Sequence, residues 1–341
     1  ASLGEQHSQP APARPQRKTP QTETGVALSR FTHAMRRSLR VALIASVGGA
    51  ILWGWTDPDA PQHGMGARLD AVIEISLKEP WVGGFSGLEV TADGQTFHLA
   101  TDNGHWAQGQ FRRDGTRLTG LEIEKSQPFL DKDGLVREFP HNDAEGLALD
   151  ADGRLYVSFE HAHRILYYNG WEDSAKWPAY TRSWEELPSN KGLELVALGE
   201  DGTLYTIPED ISSATEAVVY RRKPYAPWEQ PFALPLEPPF APVGADFGPD
   251  GRLYVLERAF GAHGFASRVR AMTVAETGLG PIETVLQTSY RTHGNLEGLA
   301  VWRDAEGFMR LTMVSDDNFY AFLPSQIVEY VLETGLAKST Q

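Results

Sequence analysis

The stretch HNDAEGLALDADGRLYVSFE, residues 141–160, decides the fold. Glu145, Leu147 and Leu149 alternate with smaller residues as one strand, Asp152-Gly153 supplies a turn that tolerates positive φ, and Leu155, Val157 and Phe159 resume the alternation. That is half of a four-stranded antiparallel blade. The frame recurs as Ser86-Gly87-Leu88 before Asp93-Gly94, Glu194-Leu195 before Asp201-Gly202, Val243-Gly244-Ala245-Asp246-Phe247 before Asp250-Gly251, and Glu297-Gly298-Leu299 before a looser turn at Glu306-Gly307. The positions equivalent to Glu145 are Ser86, Glu194, Val243 and Glu297, at successive separations of 59, 49, 49 and 54 residues, which is the period of a propeller blade rather than of a solenoid.

Each frame leads into a second strand that ends in carboxylates: HLATDNG at 98–104, YVSFEHA at 156–162, YTIPED at 205–210, YVLERAF at 254–260 and TMVSDDNF at 312–319. Third strands are expected at 165–168, 217–220, 269–274 and 327–331, and fourth strands at 118–124, 181–186, 228–234 and 283–287. The last unit runs out of chain before its fourth strand, while residues 68–77 form a strand ahead of the first unit. Letting the second complete the first closes the ring and leaves no open edge. The expectation is an all-β propeller of five four-stranded blades closed by its N-terminal strand, with six blades as the fallback if the 59-residue spacing hides a degenerate one.

Composition is compatible with this. The chain has 341 residues, of which 33 are Gly and 22 Pro, suited to one large β domain rich in turns. A net charge of −14 argues against a nucleic-acid binder, which needs a basic surface to displace counterions, and suits cation binding. With no cysteine, neither disulfides nor thiolate ligands contribute. Residues 1–34 are polar, rich in Pro, Gln and Thr, and read as disordered. In residues 35–55, Arg36, Arg37 and Arg40 precede the apolar run Val41 to Trp55, the form of a signal peptide or membrane anchor; the competing reading is a buried apolar strand or helix. Residues 56–65 read as a linker and 66–341 as the propeller domain, which would then be periplasmic or secreted, with possible anchoring to the inner membrane.

In a propeller the innermost strands surround a central channel, so equivalent positions converge on one axis. Ser86, Glu145, Glu194 and Glu297 would form a ring there, with Asp246 near the gap left by Val243. Clustered glutamates raise one another's pKa and destabilise the fold unless a cation joins them, and an oxygen-only donor set selects a hard ion, Ca²⁺ before Mg²⁺. The competing reading is that each Glu caps a turn through backbone amides. Around the ring, Asp102, His141, Asn142, Asp143, Glu160, Glu209, Glu257, Asn295, Asp316 and Asp317 would form an acidic cup, interspersed with Arg258, Lys191, Arg164, His161 and His163 as anion grips. The chain carries no G-x-S-x-G elbow, HExxH, P-loop or dinucleotide fingerprint.

GFSGLEV, HNDAEGLALDADGRLYVSFE, KGLELVAL, GADFGPDGRLYVLER and GNLEGLAV followed by VSDDNF resemble the phytase-like domain family, over roughly residues 82–332. The resemblance implies an exported β-propeller with a Ca²⁺-dependent phosphoesterase role. The ring itself is similar to that of the calcium-activated nucleotidases, or apyrases, in which one Ser or Glu per blade holds a central Ca²⁺; Val243 departs from that pattern. The expected function is hydrolysis of a small phosphate ester: Arg258 or Lys191 grips the phosphate, and Asp143, Glu160 or Asp317 orients the attacking water. The rivals are a non-catalytic binding propeller with structural calcium, and a metal-dependent lactonase.

Overall fold

A computed structural model describes residues 66–209, 215–318 and 323–333. The segments read above as disordered, as signal or anchor, and as linker lie outside the described residues. Among the described residues no helix is long and apolar enough to cross a membrane.

Five small antiparallel sheets make five blades. Strand β1 (Ala67–Glu74) precedes the first. Blade 1 holds β2 (Phe85–Val90), β3 (Thr96–Thr101), β4 (His105–Asp114) and β5 (Arg117–Pro128). Blade 2 holds β6 (Ala144–Leu149), β7 (Leu155–Phe159) and β8 (Arg164–Tyr168), and blade 3 holds β9 (Ala197–Leu198), β10 (Leu204–Thr206), β11 (Glu216–Arg222) and β12 (Glu229–Pro235). Blade 4 comprises β13 (Ala241–Phe247), β14 (Leu253–Gly261) and β15 (Gly264–Met272), a small hairpin of β16 (Val274–Ala275) and β17 (Gly278–Leu279), and then β18 (Glu283–Gln287). Blade 5 holds β19 (Asn295–Arg303), β20 (Met309–Asp316) and β21 (Gln326–Leu332), and β1 pairs antiparallel with β21 as its fourth strand. The Asp-Gly turns take the positive φ that their glycines permit, as at Gly153 with φ 81°.

The strand expected at residues 181–186 is instead a single 3-10 turn, Arg182–Glu186, and the described part of blade 2 has three strands. Prolines 178 and 188 bracket the segment, and Trp184 leaves the sheet edge to lie buried against Tyr220 and Trp228 of blade 3. A strand alternates its side chains between two faces, whereas this segment buries one tryptophan and leaves the rest half-buried or exposed.

The core is divided in five, one apolar cluster for each junction between neighbouring blades. Trp106 of blade 1 meets Leu147 and Phe159 of blade 2, and Leu256 of blade 4 meets Leu299 and Leu311 of blade 5. At the closing junction, Leu88 and Leu99 of blade 1 pack on Trp302 and Val314 of blade 5, with Ala71 and Ile75 from the N-terminal segment. An ionic network reinforces this junction. Arg113 of blade 1 grips both oxygens of the fully buried Glu329 at 2.8 and 2.9 Å, while Arg310 reaches Glu329 at 3.2 Å, Asp304 at 2.8 Å and Asp70 of the closing strand at 2.8 Å.

Near the axis the blades touch backbone to backbone. A Cβ on Gly244 would stand 2.3 Å from the carbonyl oxygen of Glu297 in the next blade, and one on Gly298 would stand 2.7 Å from the amide nitrogen of Leu88. Blade 3 carries Leu195 at the matching position.

Candidate active site

Every first strand starts, and every second strand ends, at the same mouth of the channel, as the pairs Ala241 with Arg258 and Asn295 with Asp316 show. In blades 1, 2, 4 and 5 the ladder slips at the ring position: the register jumps across Ser86, across Glu145 and Gly146, across Val243 and across Glu297. Such a bulge turns a side chain out of the pleat, here at the end of a strand beside the axis. Repetition in the sequence thus becomes repetition of a local distortion. The channel wall includes Ser86, Gly146, Val243 and Glu297.

The acidic side chains converge most tightly where blades 2 and 3 meet. One donor atom each of Asp143, Glu160 and His161 lie within 4.8 Å of one another. His161 Nε2 is 3.1 Å from Asp143 Oδ2 and 3.8 Å from Glu160 Oε2. Glu160 Oε1 accepts the Gly192 amide at 3.0 Å and also the Lys191 amide, so it clasps the entry of blade 3. Its carboxyl meets that of Glu194, and Glu194 also lies in the field of Glu145 and Glu209. Burial first, and then these like charges, hold the Glu194 carboxyl well above its usual range; burial likewise raises Glu160, with Asp143 adding to the shift. His161 and Lys191 both adopt left-handed backbone, at φ 57° and 79°, a conformation that branched-chain sterics disfavour and that clusters at functional sites.

Where blades 4 and 5 meet, Arg258 faces the ring. Its Nη1 donates to Asn295 Oδ1 at 2.9 Å and to Glu297, and its Nη2 donates to Glu209 at 2.6 Å. Asn295 Nδ2 in turn donates to the same oxygen of Glu297 at 2.8 Å. The guanidinium expected to grip a substrate phosphate therefore spends both Nη groups on the protein's own acceptors.

Asp246 stands apart from the ring glutamates. Three residues beyond Val243, it accepts the Val301 amide at 2.6 Å. Glu89, three residues beyond Ser86, accepts the Leu149 amide in the same way, and the two carboxylates lie in each other's field. Each satisfies the inner edge of the next blade, which is the capping role rather than the ligand role. Burial raises both, Asp246 to about 7. Asp317 accepts the Gly84 amide at 3.2 Å, a clasp between blades 5 and 1 like that of Glu160 between 2 and 3. Of the other cationic groups, Arg164 donates to the backbone oxygens of Ala162 and His141, and His163 contacts the Pro188 oxygen at 2.8 Å.

Ser86, Glu145, Glu194 and Glu297 offer hard oxygen donors to an ion, and the contact between the Glu160 and Glu194 carboxyl groups, buried together, is the kind of arrangement a cation relieves. The residues fit a divalent ion. Glu89 and the strained backbone of His161 were not legible as site features in the sequence: the first lies off the repeated ring position, and a left-handed φ at a non-glycine residue carries no sequence signal.

A family model described as phytase-like, esterase-like activity of phytase, matches residues 80–319. No curated protein matches the sequence. Among solved structures, the chain is similar to the PQQ-bound aldose sugar dehydrogenase of Streptomyces coelicolor, at 10% identity and a TM-score of 0.44 over 80% of this chain and 99% of that one. It is similar to the α-L-arabinofuranosidase PaAbf62A of Podospora anserina, at 10% identity and a TM-score of 0.49 over 76% and 93%. The third is a gluconolactonase of Xanthomonas campestris, at 15% identity and a TM-score of 0.42 over 81% and 89%. Chemistries so unlike one another, at such low identity, say nothing of what this chain acts on.

Proposed function

The chain belongs to the phytase-like family, and from that premise we propose that the acidic mouth is the active site of a divalent-cation-dependent ester hydrolase, with Ca²⁺ as the ion and a small phosphate ester as the substrate class. One observation carries the reading: one donor atom each of Asp143, Glu160 and His161 converge within 4.8 Å of one another beside the buried Glu194, which sets a base and ion donors around one point.

Ser86, Glu145 and Glu194 would hold the ion, which when bound would supply a Lewis acid for the ester oxygens and charge to attract an anionic substrate. His161, oriented by Asp143 at 3.1 Å, accepts the proton of the attacking water. Asp143 accepts from Nε2–H, which leaves Nδ1 as the proton acceptor, and it stabilises the ring once charged. Glu160 fixes the loop at Lys191 and Gly192 against the mouth while its second oxygen faces His161. Asp317 holds Gly84 in place on the opposite rim. Export, as read from the arginine-flanked apolar run at 35–55, would put the enzyme where calcium is plentiful.

A second reading has its own observation. Because Arg258 is bound by Glu209 and Glu297, the mouth lacks from that residue an anion grip, and a neutral lactone would enter an acidic cup with less repulsion than a phosphate. The test is to assay aryl phosphates and γ-lactones with the full chain, with and without calcium and EDTA, for wild type and Glu145→Gln. Calcium-dependent release of phosphate, lost in the variant, is the expected result. Lactone opening alone would move the assignment to a lactonase, and no turnover with calcium bound would leave a binding protein.

A further inference from the structure

Four blades present a carboxylate or a hydroxyl at the ring position, and blade 4 presents Val243, which is 2% exposed and has no donor. What blade 4 sends to the mouth instead is a positive charge. Arg258 stands opposite Ala241, one pair from the bulge at Val243, and its guanidinium bridges Glu209 of blade 3 to Glu297 of blade 5. The side chains of Arg258, Glu209 and Glu297 are 18%, 14% and 11% exposed, so the bridge is shielded from bulk water and its charges are strongly coupled. Oε1 of Glu297 receives two donors, Arg258 Nη1 and Asn295 Nδ2, which leaves that oxygen poorly placed to serve a metal ion as well. On the neighbouring side of the mouth, among the described residues, no ion pair joins Glu194 to a cation: its carboxyl lies in the field of Glu160, Glu145 and Glu209, and Arg258 reaches it only through its field.

We propose that Arg258 is the resident cation of the half of the ring formed by blades 4 and 5, so that a divalent ion is confined to the half built from Ser86, Glu145 and Glu194, and that removal of the Arg258 charge opens a second divalent-cation site at Glu209 and Glu297. This rests on the reading of the mouth as a cation site. A guanidinium stays charged at any physiological pH and satisfies carboxylates in a planar fork, so it substitutes for an ion that would otherwise have to be acquired from solution. Replacing it with an uncharged side chain of similar length leaves two buried carboxylates facing one another, the condition under which hard divalent ions bind.

The experiment is calorimetric titration of calcium chloride into the full chain for wild type, Arg258→Met and Arg258→Lys. The Met variant is expected to bind one more calcium ion per chain than the wild type, and the Lys variant to keep the wild-type stoichiometry. Equal stoichiometry in Arg258→Met and wild type overturns the inference. If the Met variant folds poorly without metal, melting with EDTA and with calcium decides the matter: calcium should raise its melting temperature more than that of the wild type, and an equal or smaller rise overturns the inference. A wild type that binds no calcium beside a Met variant that does would keep Arg258 as the resident cation but overturn the confinement of an ion to the other half, and remove the metal-dependent hydrolase. No binding by either removes both.

Discussion

The buried carboxyl groups of Glu194 and Glu160 meet across the junction of blades 2 and 3, and burial makes each hold its proton more tightly than usual, Glu194 above all. A divalent ion at Glu194 must expel that proton, because a carboxyl binds metal as the carboxylate. Calcium binding should therefore strengthen as pH rises and release a proton that buffers of different ionisation enthalpy report in calorimetry. Glu160→Gln should abolish much of that pH dependence. Affinity that is flat with pH would exclude a raised Glu194 as a ligand.

Asp246 makes a separate prediction about stability. In the folded chain burial lifts its pKa to about 7, against about 3.9 in an unfolded chain, so between those values the folded state binds the extra proton. The contribution is fully present below the unfolded pKa and is lost as pH rises through about 7. The melting temperature of the metal-free protein should fall across that interval, with burial of Glu89 acting in the same direction. Asp246→Asn, which can still accept the Val301 amide, should flatten the slope; an unaltered slope would place the titration elsewhere.

Closure depends on a charge that has no route to water. Glu329 is fully buried and is gripped by Arg113 of the neighbouring blade and by Arg310 of its own. Glu329→Ala leaves two guanidinium groups without their shared partner and should cost about 3–5 kcal/mol, measured by denaturant unfolding. A loss below about 1 kcal/mol would mean that the apolar packing of Leu88, Trp302 and Val314 closes the ring unaided.

Contact between blades 4 and 5 should be equally sensitive to a single methyl group. Gly244→Ala places a Cβ 2.3 Å from the Glu297 carbonyl oxygen, a backbone atom that can retreat only by parting the inner strands. The expected loss is about 1–3 kcal/mol in unfolding experiments. A variant as stable as the wild type would show that the inner strands have slack.

The number of blades and the closing strand were legible in the sequence, because a strand alternates with period two, an Asp-Gly turn marks its end, and a unit of some 50 residues repeats both. The described residues hold twenty-one strands, some of them, such as Phe85–Val90 and Met309–Asp316, buried on both faces. Repetition could place Ser86, Glu145, Glu194 and Glu297 at one end of the channel, since equal register in equal blades means equal height on the axis. It could not say what each side chain would meet across a junction, because those partners are distant in the chain and are chosen by packing. Asp246 belongs to the repeat by position yet serves the Val301 amide, and residues 181–186 look like a strand until Trp184 finds its pocket in blade 3. Arg258 reads as a substrate grip when only its neighbours in sequence are known. Tertiary structure alone brings Glu209 and Glu297 to it from either side, because the Coulomb energy of a buried carboxylate is settled by the nearest cation in space, whatever its place in the chain.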